Sequence, residues 1–489
     1  MVGLATVLLF LTREHQHAGP WGYSLDDSWI HATIARNLAR GEGFSFNPGE
    51  LTGGSTSPLF TLLLAGMYAI FGSSVWISKS LGIAAHVVTI IVAFRVSLLL
   101  VPRSLAIATL TATVTAVFPP LVWAALSGME ISIYILTVML GFLWALQGRS
   151  TLAAAVWSLG VWIRPDGLLL MAMGIALLGR GVVRRLVVSL GILLPYLAFN
   201  LIVGQSPLPA TVSVKAHLAD QPAGQLLGFL LQLMGPWGIP LKPGFTALGS
   251  PLLPGLALAG GLLAWRRCPV LSALPALFPI AFGLISASPG PQFRYVLPLV
   301  PVVVLLAGVG LDRFRNGVPS KWRSSALIAA SGLLLLPLAG SGIRMADVHG
   351  WNVQNINGMH RFLGERLQAM TAPSDTLATN DIGAIGFFSD RYIVDVAGLI
   401  SPLKPLPEML TTYRPKYLIV FPSWYSGYAH TDSARANSYF DDTDSTFRYW
   451  GLFGVHLQHN TIAARDRIFA FVRTPYRAAP PPKIRMYRH

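Results

Sequence analysis

Tyr23-Ser-Leu-Asp-Asp-Ser-Trp-Ile-His31 is the stretch that decides how this chain is read. It follows a first apolar segment, Val2 to Leu11, and sets two adjacent acids, Asp26 and Asp27, at the head of a helical pattern. In that pattern Ile30, Ile34 and Leu38 recur every four residues, with Arg36 and Arg40 off the stripe. Gly41 and Gly43 end it. A helix lying in a membrane interface fits this arrangement. Most of the sequence beyond is apolar, and a carboxylate is expensive in lipid, so an acid pair at a membrane edge marks a candidate functional site.

The composition makes lipid the solvent for much of the chain. Of 489 residues 53% are hydrophobic and 12% charged, where a soluble domain carries roughly 25% charged residues. The single Cys268 excludes an intramolecular disulfide framework. A formal charge of +15 could suggest nucleic acid. No nucleic-acid motif accompanies it, and basic residues that collect in cytoplasmic loops account for it more simply.

Working outward, Val2 to Leu11 is short for a crossing, which needs about 20 residues. Pro58 to Phe71 is also short and suits a re-entrant or interfacial segment; Gln225 to Ile239 reads as interfacial. Spans are expected over Leu81–Leu100, Ser104–Ala124, Ile131–Leu146, Thr151–Ile163, Gly167–Leu178, Leu186–Val203, Leu252–Ala264, Leu271–Ile285, Tyr295–Leu311 and Ser324–Leu338. Alternate junctions hold Arg103, Arg149, Arg180 with Arg184 and Arg185, Arg266 with Arg267, and Arg313 to Arg323. These are placed in the cytoplasm. The opposite set faces outward: the Asp26 loop, Ser127 to Glu130, Arg164-Pro-Asp166, the Gln205 to Asp220 loop, and Ser286 to Arg294.

After Leu338 the composition becomes that of a globular domain. Met359–Met370 reads as a helix. Asp375–Thr379, Tyr392–Val396, Tyr417–Phe421 and Arg467–Val472 read as strands. Pro480 to His489 reads as a loose basic tail. The expected architecture is a polytopic α-helical membrane protein of about 11 spans with interfacial or re-entrant helices. Residues 1–343 form its membrane module, with a first outer loop over 13–80, and 344–489 an extracytoplasmic α/β domain.

Each candidate residue has a plain structural alternative. Ser24 to Asp27 fits a capping box, which explains one acid of the pair but two less easily. A general base for a sugar hydroxyl is the functional reading, and repulsion between adjacent carboxylates would raise one pKa. Glu130 begins a span on the same face and is either a helix-start acid or a second acid of one cavity. Arg164, Arg294 and Lys215 are outward cations, either snorkelling or binding phosphate. His31, Asn47, Ser57, His217 and Tyr295 are candidate substrate-binding residues. No metal signature is present; if a divalent cation (Mg, Mn or Ca) is used, Asp26, Asp27 and Glu130 are its expected ligands. Asn380 to Gly386 lacks the GxGxxG and Walker spacings and reads as a strand-turn device.

Taken together, Leu25-Asp-Asp-Ser-Trp-Ile, Phe46-Asn-Pro-Gly-Glu50, Leu126-Ser-Gly-Met-Glu130, Ile163-Arg-Pro-Asp-Gly167, Gly204 to Pro209 and Phe293-Arg-Tyr-Val-Leu-Pro298 resemble the GT-C superfamily of glycosyltransferases. The resemblance is nearest to bacterial terminal arabinofuranosyltransferase-type members. It is more distant to protein mannosyltransferases and lipid A aminoarabinose transferases. It implies a polyprenyl-phosphate-sugar donor, a glycan, lipid or protein acceptor, and a catalytic base in the first outer loop, where Asp26 and Asp27 stand. It also implies a multi-pass protein of the bacterial inner membrane with its active site toward the periplasm. Ala210 stands where the family commonly has Asn, and Ser28 where an aromatic residue or Ala is common. The alternative from another class is a lipid-linked-sugar flippase, which would need polar residues through the membrane midplane.

Overall fold

The computed structural model describes residues 2–207, 209, 226–227, 229–230, 250, 252–284, 290–432, 437–440, 447–475 and 485–489. Helix α1 spans Val2–Ala18, α2 Asp27–Ala39, α3 Pro58–Phe71 and α4 Val75–Leu100. Next come α5 Leu105–Val117, α6 Pro119–Leu126, α7 Ile131–Leu146, α8 Ser150–Val161, α9 Gly167–Leu177 and α10 Val182–Gly204. After the interval around residue 230 follow α11 Leu252–Ala264, α12 Pro269–Gly283, α13 Leu299–Gly317 and α14 Arg323–Asn355. Among the described residues, 75–100, 182–204 and the continuous helical stretch 320–370 are long and apolar enough to cross a membrane. α5 and α6 qualify together as one broken span bent by 52°. The break falls where Pro119 and Pro120 begin α6, because proline has no N–H to continue the helix of α5.

The first helix runs past the apolar segment read from the sequence. It continues through Arg13, Glu14 and His17 to Ala18. Glu14 explains the extension. Its carboxylate lies 2.6 Å from Lys79 Nζ on α4 and 2.8 Å from His349 Nε2 on α14. All three side chains are fully buried. A buried charge is tolerated when paired and hydrogen-bonded, so the acid docks α1 instead of ending it. α14 likewise outruns its apolar stretch and crosses position 344 uninterrupted before a π-helical turn at Ile356–Arg361 and α15, Phe362–Met370.

The C-terminal region holds one sheet in the order β2-β1-β3-β7-β6-β5-β4, with β8 paired to β6. β1 (Thr376–Thr379), β2 (Tyr392–Asp395) and β3 (Tyr417–Val420) are parallel, joined by α16 (Gly383–Ser389) and α17 (Leu406–Tyr413). β4 (Ala429–Asp432), β5 (Asn437–Phe440), β6 (Phe447–His456) and β7 (Arg467–Pro475) extend it antiparallel. Strands β4 to β6 lie outside the four expected from the sequence. Glycines at 451 and 454 interrupt the apolar alternation of β6, and the register shifts between Gly451 and Phe453. The basic tail is also corrected: β8, Arg485–Arg488, is not loose but pairs in parallel with Phe453–His456.

The two regions interlock. α2 packs between α3 and α16, so it is more enclosed than an interfacial helix need be, with residues 28–35 buried. Its polar edge is covered by the C-terminal region: Arg36 donates to the Phe387 carbonyl at 2.9 Å and to Asp390 at 3.0 Å. Asn47 donates to the Ile393 carbonyl and accepts from the Ile393 N–H, both at 2.9 Å.

Candidate active site

The two adjacent acids part company. Asp26 closes onto the C-terminal region: its carboxylate accepts the N–H groups of Gly383 and Ala384, each at 2.8 Å. It therefore caps the start of α16 rather than its own helix. A Cβ at Gly383 would come within 2.1 Å of the Asp26 carbonyl oxygen, so the contact requires glycine there. The capping box read from Ser24 to Asp27 is not made: Asp26 is the cap residue of α2, with no side-chain cap bond, and Ser24 Oγ is buried without a hydrogen-bond partner among the described residues. Burial pushes the Asp26 carboxyl up to about 6, reinforced by Asp381 and opposed by His360 and the two backbone N–H donors. His360 Nε2 lies 2.7 Å from Asp381 Oδ2.

Asp27 opens a different space. A cavity of about 490 Å³ is bordered by Asp27 and His31 of α2, Glu130 at the head of α7, Arg164 and Asp166 of the α8–α9 turn, and Arg294 and Tyr295 before α13. Asp27 and His31 are four residues apart and share one helix face. Phe278, Phe282, Leu168 and Leu169 supply an apolar wall, and Leu399 reaches it from the C-terminal region. The Leu399 loop is shaped by Asp395, whose carboxylate accepts the N–H groups of Ala397, Leu399 and Ile400. Gly54 lets this loop approach, since a Cβ there would meet Ile400 at 2.6 Å.

Acids and guanidinium groups alternate around the cavity. Arg294 Nη1 lies 2.6 Å from Asp27 Oδ2, and Arg294 Nη2 donates to the Tyr295 hydroxyl at 2.9 Å. Arg164 Nη1 donates to Glu130 Oε1 at 3.0 Å, while its Nε and Nη2 engage Asp166 at 3.0 and 3.2 Å. The Tyr295 ring lies between the two guanidinium groups, 5.5 Å from that of Arg164 and 5.0 Å from that of Arg294. Burial works against the Arg294 charge, but Tyr295 and Asp27 outweigh it and hold the group cationic. Asp166 and Glu130 do the same for Arg164. Burial keeps His31 neutral, a pull that Glu130 and Asp27 only partly offset.

Of the residues singled out from the sequence, Asp27, His31, Glu130, Arg164, Arg294 and Tyr295 meet at this cavity. Asp26, Asn47 and Ser57 do not. Asn47 bridges to β2, and Ser57 Oγ donates to the Ile163 carbonyl at 2.5 Å, tying the loop before α3 to the α8–α9 turn. Lys215 and His217 lie outside the described residues. The expected cation ligands Asp26, Asp27 and Glu130 are not gathered, and no group of three His, Cys, Asp or Glu side chains fit for a metal exists among the described residues. Sequence reasoning passed over Asp166 and the aromatic pair Phe278 and Phe282. Both carried a signal: an acid two residues after Arg164, and aromatics spaced by one helical turn. Leu399 carried none.

Comparison with solved structures defines the class of fold as GT-C-like. The chain superposes on ArnT from Cupriavidus metallidurans bound to undecaprenyl phosphate with TM-score 0.58 at 12% identity, covering 96% of this chain and 97% of that one. It superposes on the archaeal oligosaccharyltransferase AglB from Archaeoglobus fulgidus, in complex with an inhibitory peptide and a dolichol-phosphate, with TM-score 0.55 at 12% identity. That match covers 86% of this chain and 69% of AglB. Residues 344–469 match the model of a domain of unknown function, DUF8728. No curated protein matches the chain by sequence.

Proposed function

We propose that this protein is an inverting glycosyltransferase of the bacterial inner membrane, taking an arabinofuranose- or mannose-like sugar from a polyprenyl-phosphate donor to a periplasmic glycan, lipid or protein acceptor. One observation carries the reading. Asp27 and Glu130 share a cavity with the guanidinium groups of Arg164 and Arg294 beside an apolar wall. Such a space suits a sugar phosphate attached to a prenyl chain. The neighbours bound to undecaprenyl phosphate and dolichol-phosphate support the same class of donor.

In this mechanism Asp27 takes the proton of an acceptor hydroxyl. That oxygen attacks the anomeric carbon, the bond from carbon to phosphate oxygen breaks, and polyprenyl phosphate departs with the electron pair. Arg294 and Arg164 meet the charge that develops on the phosphate, where planar donors in a partly dry cavity are most effective. Asp27 is already paired with Arg294. A donor phosphate that engages Arg294 loosens that pair and leaves Asp27 a stronger base. Asp26, bound to the start of α16, is assigned to holding the C-terminal region.

The test is transfer of radiolabelled arabinofuranose or mannose from the polyprenyl-phosphate donors by purified protein. Asp27→Asn is expected to lose roughly 10²–10⁴ in rate, with Asp26→Asn keeping most of its turnover. Equal turnover by Asp27→Asn and wild type would remove the base assignment. Wild-type protein that bound donor but formed no glycosidic bond would favour a flippase.

A further inference from the structure

We infer that His31 and Glu130 form a paired donor and acceptor that reads one ring hydroxyl of the glycosyl unit on the donor, an inference that rests on the sugar-transfer reading above. Glu130 is 2% exposed. Its Oε1 accepts from Arg164, but its Oε2 is buried with no hydrogen-bond partner among the described residues. Leaving a buried carboxylate oxygen unmatched is costly, and native proteins seldom do so without a reason. His31 Nε2 lies 3.7 Å from it, too far for a hydrogen bond. Both residues border the cavity.

His31 is fixed from behind. Its Nδ1 lies 2.9 Å from Thr61 Oγ1 and 3.3 Å from Ser55 Oγ, and its ring packs edge-on to Phe60. These hydroxyls can donate to Nδ1, and the Glu130 carboxylate favours the tautomer with its proton on Nε2. The cavity is thus offered one N–H donor and one carboxylate acceptor, 3.7 Å apart. A single hydroxyl oxygen about 2.8 Å from each atom can accept from the first and donate to the second. A hydroxyl has both capacities, as a carbonyl or a methyl does not. Glu130 also holds Arg164 through its other oxygen, so the hydroxyl lies next to the guanidinium assigned to the phosphate. That places it on the sugar joined to the phosphate rather than on the acceptor. His31 and Glu130 are therefore substrate-binding groups that set which sugar is accepted.

The experiment is equilibrium binding to the full-length protein in detergent, wild type and His31→Ala. The probes are undecaprenyl phosphate, its arabinofuranosyl and mannosyl esters, and their deoxy analogues at each ring position. For wild type, one deoxy analogue is expected to bind about 10–100-fold more weakly than its parent, the worth of a hydrogen bond to a charged group. His31→Ala is expected to bind the parent about tenfold more weakly and to lose most of that discrimination. Undecaprenyl phosphate alone should bind both proteins equally, which shows that the variant is folded. The inference is overturned if no deoxy analogue is disfavoured, or if His31→Ala discriminates as wild type does. Discrimination abolished by EDTA and restored by Mn would also overturn it, since the pair would then hold a cation. Binding is read directly, so the same preparations failing to transfer sugar would sink the transferase reading without deciding this one.

Discussion

Two buried ionic clusters lie in the same helical region, and they differ in one respect. Around Glu14 both carboxylate oxygens are matched: both contact Lys79, one takes the Gly22 N–H, the other faces His349, and no side chain of the three is exposed. Around Glu130 the matching stops short, because Oε2 is left over and the cluster borders open space. The first carboxylate is saturated and holds three helices together. The second keeps capacity for a molecule that arrives later. Buried charge alone therefore does not mark a working site; incomplete pairing beside a cavity does.

The contrast can be broken at its saturated end. Lys79→Met leaves Glu14 buried without its cation, and removing one partner of such a pair costs about 3–5 kcal/mol. The expected result is a loss of folded protein on detergent size-exclusion chromatography, with normal sugar transfer by whatever folds. Asp27→Asn should behave in the opposite manner. Its melting temperature should stay near the wild-type value while turnover falls, because Asp27 is partly exposed at the cavity and an asparagine amide oxygen can still accept from Arg294.

A smaller effect is expected at the joint between the regions. Gly383→Ala forces a methyl group against the Asp26 backbone, and should lower thermal stability and expose the joint to protease. The smallest effect is a pH dependence. The Asp26 carboxyl is raised from its ordinary 3.8 to about 6. A raised acid contributes stability that is full below its unfolded value and is lost as pH rises through its folded value. Wild-type protein should therefore lose roughly a few degrees of melting temperature between pH 4 and pH 6.5 relative to Asp26→Asn. Parallel curves for the two proteins would show that Asp26 does not titrate in this window.

Much of the helical plan was legible because apolar helices announce themselves by unbroken apolar runs: Ile131–Leu146 and Leu252–Ala264 coincide with their expected ranges. The ends of α1 and α14 were not, because Glu14 and His349 become tolerable only through partners far away in sequence. The acids and cations of the cavity could be listed from the sequence but not sorted. Neighbouring residues on a helix point about 100° apart, so Asp26 and Asp27 face different regions, and nothing local says which faces the cavity. Strands β4 to β6 were hidden by glycines and aromatics whose partners are other strands.

Asn47 has a further consequence. β2 is the outermost strand of its sheet, and the Asn47 amide occupies both the N–H and the carbonyl of Ile393 on the free side. It imitates a neighbouring strand and stoppers the margin with a side chain from the loop after α2. An unprotected sheet margin recruits other chains. The C-terminal sheet without the Asn47 loop would carry that margin uncovered and should self-associate. The loop after α2 thus shields the sheet that follows it from pairing with other chains.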